Sequence, residues 1–288
     1  MKVEDIKKIC VVGAGNMGHQ ISLNAAIQGY KTVCVDVSQE ALAKAQAFTD
    51  KYLPERVVKG KMSQAVAEAA RKNISFITNL AEAVKDAGFV IEAATEKLEL
   101  KRNLFAVMDK NAPSHAILAT NSSFIASSKV VDATSRPEKV LNMHYFNPAL
   151  VMKVVEVVKG PHTSEETVQV TMDLCRRLDK TPVLITKEIY GFVVNRILMA
   201  INDEALYLAE HGIASVEDID AAVVGALNHP MGPFKLMDLT GLDLYYYIKQ
   251  GRFEETGKPE DTPVPLLEQK FKAGEYGQKT RKGFYNYK

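Results

Sequence analysis

The chain has almost no excess of charge of either sign: 36 basic residues stand against 35 acidic ones, a formal net charge of +1 over 288 residues. Such a balance supplies no long-range field for nucleic acid or an anionic membrane, and it argues against partners that depend on one. An anionic ligand must instead be met by a local arrangement of donors. Long hydrophobic runs are also missing. The longest fall short of the roughly 18 apolar residues that cross a bilayer, so no membrane segment is expected. The opening MKVEDIKKICVVGAG passes directly into a strand pattern without a small-residue cleavage site, so no signal peptide is expected. Cysteine is sparse. Cys10, Cys34 and Cys175 show no Cys-x-x-Cys spacing, which reads as buried thiols in a reducing cytoplasm. No histidine pair has metal-ligand spacing with supporting cysteine or carboxylate, so no metal is expected. Internal repeats and low-complexity tracts are absent.

What is present is an ordinary globular composition, 47% hydrophobic and 25% charged, sufficient for one large domain or two smaller ones. Short β-branched runs alternate with helical patterns as far as Thr186. Strands are expected at Lys8–Val12, Thr32–Val35, Ile74–Ile77, Phe89–Glu92, Ala116–Thr120, Lys139–Met143, Val154–Val158 and Pro182–Thr186. This alternation implies an α/β fold, a Rossmann-type doubly wound and mostly parallel sheet with helices on both faces. Between the second and third strands, a charged helical stretch from Gln39 to Lys72 is too long for a simple crossover. It reads as a helical pair turning near Pro54 and Gly60. Beyond Thr186 the strands stop, and Val193–His211, Val216–Asn228 and Leu236–Gln250 carry helical periodicity. The expected organisation is therefore a sheet domain over 1–187 and a smaller all-α domain over 188–288.

The first strand runs into Gly13-Ala14-Gly15-Asn16-Met17-Gly18 and then a helix, and the second strand ends in Asp36. A lone GxGxxG carries little weight, but the strand before it, the helix after it and the acid at the next strand end make it specific. Gly13 permits the tight turn, Gly15 admits a pyrophosphate to the backbone, and Gly18 brings helix against strand. The anion rests on unpaired helix N–H groups. A carboxylate at Asp36 accepts hydrogen bonds from the adenosine ribose and repels a 2′-phosphate, which favours NAD over NADP. A glycine turn in a non-binding α/β domain is the bland alternative.

Two polar clusters fall at strand ends, where open parallel sheets bind ligands. They are Thr120-Asn121-Ser122-Ser123 and His144-Tyr145-Phe146-Asn147-Pro148. Glu156 stands inside the otherwise apolar run Lys153–Val158. A carboxylate there is costly to bury unless paired. A returning strand would set it against His144, fixing the ring's tautomer and raising its basicity. Such a pair supplies the base for oxidising a hydroxyl. The alternatives are a satisfied structural histidine and an edge-strand glutamate facing water.

At these clusters the sequence resembles the 3-hydroxyacyl-CoA dehydrogenases, most closely the short bacterial 3-hydroxybutyryl-CoA dehydrogenases. The resemblance covers nearly the whole chain. It includes GAGNMG, Glu92-Ala93-Ala94-Thr95-Glu96 with Lys101, Asn121-Ser122-Ser123 and HYFNPALVMKVVEVV from His144. It continues with Gly191-Phe192-Val193-Val194-Asn195-Arg196, Met231-Gly232-Pro233-Phe234, and Lys279-Thr280 before Gly283-Phe284-Tyr285. The resemblance implies that His144 is the general base, or the acid in reduction, with Glu156 its orienting partner. It implies that Ser123 and Asn195 hydrogen-bond the reacting oxygen or the thioester carbonyl, with Ser122 the rival to Ser123. Glu96, Lys101 and Lys279 match positions near the nicotinamide half of NAD, and Asn121, Ser123 and Asn147 join the cofactor set. Lys51, Arg56, Lys59 and Lys61 would meet the phosphates of an acyl-CoA, a solvated charged face being the alternative reading. A homodimer through the C-terminal helices is implied as well. Two positions depart from the family pattern: Arg281 replaces the usual glycine after Lys279, and Phe124 replaces a serine after Ser123. The implied reaction is the NAD-dependent interconversion of a short-chain (S)-3-hydroxyacyl-CoA and its 3-oxoacyl-CoA. The runner-up is a hydroxyacid or sugar-acid dehydrogenase lacking a CoA site, and an inactive NAD-binding protein stands behind both.

Overall fold

The computed structural model describes residues 1–288. Eight strands, β1 (Lys8–Val12), β2 (Lys31–Val35), β3 (Ile74–Ile77), β4 (Phe89–Glu92), β5 (Ile117–Thr120), β6 (Val140–Tyr145), β7 (Val154–Val158) and β8 (Thr181–Ile185), form one sheet. Their order is β3-β2-β1-β4-β5-β6-β7-β8. Every neighbouring pair is parallel except β6 and β7. The central strands are buried along almost their full length, which is why they read as unbroken apolar runs rather than alternating ones.

Period-two alternation sorts their side chains onto two cores. Ile9, Val11, Phe89, Ile91, Met143 and Val155 pack on one face with residues of α1 (Asn16–Ile27). Cys10, Val12, Val90, Leu118 and Val140 pack on the other. The first long crossover is a helical pair, α2 (Gln39–Val58) and α3 (Gln64–Asn73). Ser38 and Ser63 cap these helices through bonds from Ala41 N and Val66 N. Pro54 stands inside α2 rather than at the turn. Gly60, with φ +64°, supplies the left-handed residue there. The remaining helices of this unit are α4 (Leu80–Val84), α5 (Leu98–Asn111) and α6 (Glu165–Arg177).

The chain divides into two compact units, Met1–Phe192 and Val193–Lys288. The sequence patterns place the change of architecture at 187/188. The intervening residues stay with the first unit because Glu188 accepts hydrogen bonds from Ser127 Oγ (2.6 Å) and Ser128 N (2.9 Å), and Phe192 is buried. The second unit is helical: α7 (Val194–Glu210), α8 (Val216–Leu227), α9 (Pro233–Thr240), α10 (Leu242–Thr256) and α11 (Pro265–Lys272). Periodicity predicts one helix over Leu236–Gln250. The structure breaks it at Gly241, whose φ of +105° no helix accommodates. Fully buried Asp238 on α9 organises the tail, accepting from Phe284 N, Tyr285 N and Tyr287 Oη at 2.9 Å each.

Candidate active site

The turn from β1 into α1 holds Gly13, Ala14, Gly15, Asn16, Met17 and Gly18. Gly13 has φ +106°, and a Cβ there would meet the Ala93 carbonyl at 2.6 Å. A Cβ on Gly18 would collide with the Gly13 carbonyl, whereas one on Gly15 would meet nothing within 4 Å. The first and third glycines therefore close the turn, and the second leaves open space above it. No side chain caps α1 at Gly15, so its leading amides remain available to an anion. Met17 packs toward the core. Asn16 donates through Nδ2 to Asn147 Oδ1 at 3.0 Å, tying the turn to the loop after β6.

Asp36 follows β2 and braces the same turn. Its Oδ2 accepts from Ala14 N at 2.7 Å and its Oδ1 from Ser38 N at 2.8 Å. A cavity of about 470 Å³ beside the turn is lined by Gly15, Asn16, His19, Ser38, Lys44 and Phe48. Burial lowers the His19 imidazole from the ordinary histidine value, against the smaller opposing effect of its contact with the Gly15 carbonyl. These features fit a dinucleotide: a backbone anion cradle at the start of α1, with a carboxylate at the end of β2 bracing it.

The reversal of direction at β7 decides the second cluster. β6 extends to Tyr145, so His144 lies within the strand, and antiparallel pairing sets it opposite Glu156. His144 Nδ1 lies 2.8 Å from Glu156 Oε2; His144 is 3% exposed and Glu156 0%. A carboxylate only accepts, so in the neutral imidazole Nδ1 carries the proton and Nε2 presents its lone pair. Ser123 Oγ lies 3.0 Å from that Nε2. The rings of Phe146 and Phe192 lie against the imidazole, with centroids at 4.7 and 5.5 Å. Phe192 holds φ +48°, a strained conformation for a bulky residue next to the proposed chemistry.

The serine loop is fixed from two sides. Asn142, on β6, accepts from Ser127 N at 2.7 Å and donates to Ile125 O at 3.0 Å. Asn121 Oδ1 accepts from Tyr145 N at 2.9 Å, one residue beyond His144. Ser122 and Ser123 have different partners: Ser122 Oγ donates to Glu96 at 2.7 Å, and Ser123 Oγ faces His144. Phe124 lies against Tyr190, the rings tilted by 33° with centroids 4.8 Å apart.

Lys101 is 1% exposed and lies 3.4 Å from Glu96 Oε2, which is itself 43% exposed, so the pair joins a buried cation to a partly exposed carboxylate. Its principal partner is Glu92, at 2.9 Å, a residue that sequence reasoning noted only as part of a motif. The signal that singled out Glu156, an acid in an otherwise apolar strand, applies equally to Glu92. Lys51 on α2 and Lys59 just beyond its C-terminus both lie 3.9 Å from Glu55 and are largely solvated. Asn195 and Lys279 belong to the second unit. Asn195 lies in the first turn of α7, and Lys279 pairs with Asp243. Arg281, the departure from glycine, has φ +60°, the region glycine occupies most readily.

Residues 8–189 match the family model described as 3-hydroxyacyl-CoA dehydrogenase, NAD binding domain. Residues 191–287 match 3-hydroxyacyl-CoA dehydrogenase, C-terminal domain. The chain is 39% identical over 280 residues to 3-hydroxybutyryl-CoA dehydrogenase of Clostridioides difficile, covering 97% of this chain and 99% of the relative. It is 38% identical over 290 residues to human mitochondrial hydroxyacyl-coenzyme A dehydrogenase, covering 98% and 92%. The crystal structure of (S)-3-hydroxybutyryl-CoA dehydrogenase from Ralstonia eutropha superposes with a TM-score of 0.93 at 35% identity, covering 98% and 99%.

Proposed function

Since the chain belongs to the 3-hydroxyacyl-CoA dehydrogenase family, we propose that it interconverts a short-chain (S)-3-hydroxyacyl-CoA and the matching 3-oxoacyl-CoA. The proposed pair is 3-hydroxybutyryl-CoA and acetoacetyl-CoA. It is an NAD-dependent dehydrogenase. The observation that carries the proposed chemistry is the His144–Glu156 pair, with Ser123 Oγ 3.0 Å from the imidazole's free nitrogen.

In oxidation, His144 Nε2 takes the hydroxyl proton of the substrate, and Glu156 stabilises the imidazolium that forms. In reduction the same nitrogen returns the proton. A positioned acid–base group of this kind contributes about 10²–10⁴ in rate. Ser123, already at Nε2, donates to the reacting oxygen and holds it in line with the base. Bound NAD supplies the hydride acceptor for the carbon bearing that oxygen. Gly15 and the α1 amides, in the turn that Gly13 and Gly18 close, would hold its pyrophosphate, and Asp36 its adenosine ribose. By family resemblance Asn121 and Asn147 would join the cofactor set, and Glu96, Lys101 and Lys279 would serve its nicotinamide half. By family resemblance Asn195 would hydrogen-bond the thioester carbonyl, and the local cluster of basic residues would let Lys51 and Lys59 serve the CoA phosphates.

A four-carbon acyl group suits two features. Similar proteins are named for 3-hydroxybutyryl-CoA. The tilted Phe124–Tyr190 pair also places aromatic bulk on the serine loop. The second unit presents Ile197, Tyr207, Ile213, Leu227, Leu244 and Tyr247 at least half exposed, which supports a homodimer built on its helices. No helix is long and apolar enough to cross a membrane. The three free, buried thiols suit the cytoplasm, the proposed compartment.

The test compares initial rates of NADH oxidation on acetoacetyl-CoA and on free acetoacetate. Strong preference for the thioester is expected; equal rates would remove CoA recognition and favour a hydroxyacid dehydrogenase. Rates across four- to ten-carbon acyl chains then measure chain length. Sedimentation reports the assembly, and a stable monomer at working concentration would overturn the dimer.

A further inference from the structure

Glu92 is the last residue of β4, in the middle of the sheet, between the glycine turn after β1 and the serine loop after β5. Its carboxylate is 0% exposed and fully occupied. Oε1 accepts from Ala94 N at 2.7 Å and Lys101 Nζ at 2.9 Å; Oε2 accepts from the same ammonium at 2.9 Å and from Thr120 Oγ1 at 2.7 Å. Lys101, held this way, reaches past Glu92 to Glu96 at 3.4 Å. Glu96 accepts from Ser122 Oγ at 2.7 Å and from Ser123 N at 2.8 Å. Ser123 Oγ lies 3.0 Å from His144 Nε2, and His144 Nδ1 2.8 Å from Glu156. An unbroken line of polar contacts thus runs from a buried acid on β4 to the imidazole on β6.

A purely structural need at this spot is met more cheaply by apolar residues, because burying an ion pair costs desolvation that good packing avoids. What an apolar pair cannot do is aim a half-exposed carboxylate. Glu96 is 43% exposed, and besides its bonds to Ser122 and Ser123 the Lys101 ammonium is the charged group that holds it against the serine loop. We propose that Glu92 is a positioning residue for the reaction: by anchoring Lys101 it fixes Glu96, and Glu96 fixes the Ser122–Ser123 loop that sets the hydroxyl at His144. The kinetic part rests on the dehydrogenase reading above; the geometric part does not.

The test uses Glu92→Gln and, because that change leaves a buried ammonium poorly paired, the double variant E92L/K101M, which removes both charges and keeps the volume. Both are expected to lose roughly a hundredfold in kcat on acetoacetyl-CoA, the scale of a misplaced reacting group. NADH affinity by fluorescence titration is expected to stay near the wild-type value in Glu92→Gln, which keeps Lys101; the double variant removes a residue assigned to the nicotinamide half, so its kcat is read at saturating NADH. In a Glu96→Gln background the double variant should change kcat by less than about twofold, since both act through one contact. Independently of turnover, the ring-nitrogen resonances of His144, assigned with His144→Gln, should shift in E92L/K101M without substrate. Wild-type kcat in the double variant, a full multiplicative loss on top of Glu96→Gln, or unmoved His144 resonances would each overturn the proposal. A wild-type protein inactive on acetoacetyl-CoA, with shifted resonances in the variant, would instead sink the dehydrogenase reading and leave the positioning role standing.

Discussion

His144 and Glu156 occupy one rung of the antiparallel β6–β7 ladder, so backbone pairing itself delivers the carboxylate to the imidazole at 2.8 Å. Replacing His144 with Gln is expected to lower turnover by about 10²–10⁴, the contribution of a positioned acid–base group. NADH binding, followed by fluorescence, should be unchanged, because the dinucleotide cradle is built on β1, α1 and β2. Retained turnover would defeat the base assignment.

Glu156→Gln tests the partner. The amide keeps the volume, yet an amide N–H turned toward Nδ1 requires that nitrogen to accept, which moves the ring proton to Nε2. We expect kcat to fall roughly a hundredfold or more, with little change in the Michaelis constant for NAD. A kcat within twofold of wild type would show that the carboxylate does not set the tautomer.

Asp36 braces the cofactor turn through two backbone amides, Ala14 N and Ser38 N. Charge-assisted bonds of this type contribute about 1.5–3 kcal/mol each. Asp36→Ala should therefore raise the Michaelis constant for NADH about tenfold or more. It should also narrow the preference over NADPH, since the repulsion of a 2′-phosphate is gone. Paired initial-rate measurements with the two cofactors check both parts.

How much of this could be read from the residues depended on whether a cost showed in the pattern. Glu156 was legible because an acid inside an apolar strand demands a partner, and a returning strand brings one. Asp36 was legible because its place at a strand end is fixed by the motif before it. Glu92 carries the same signal as Glu156. Its partners Lys101 and Thr120 come from two different elements, α5 and β5, and no local pattern pairs them. The helix break at Gly241 depends on a φ of +105°, which periodicity does not register. The residues between 187 and 192 join the sheet unit through Glu188 and the buried Phe192 ring, tertiary contacts without a local signature.

The C-terminal tail predicts an alkaline limit. Burial first, then donation to Asp220, pushes the Tyr285 hydroxyl up; burial and donation to Asp238 do the same for Tyr287. A group whose folded pKa is raised holds its proton while the unfolded chain loses it. The stability it contributes is present below the ordinary tyrosine value near 10 and is lost as pH rises above it. Urea unfolding followed from pH 8 upward should therefore weaken above about pH 10. The Y285F/Y287F variant should flatten that slope.

Arg281 offers a gain in stability. Its φ of +60° lies in the left-handed region, which costs an L-residue about 1–2 kcal/mol. Glycine is free of that cost, although it has more conformational freedom to lose on folding. Arg281→Gly is expected to stabilise the protein by about 0.5–1 kcal/mol, visible as a higher melting temperature. A lower one would mean that the guanidinium makes contacts worth more than the backbone strain.

Because the acid and the imidazole are partners across a ladder, they come and go together. Separation of β7 from β6 would dissolve the pair in a single event, carrying Glu156 away from His144. Amide exchange at Met143 and Val157, which pair across the neighbouring rung, would then clock the lifetime of the competent state directly.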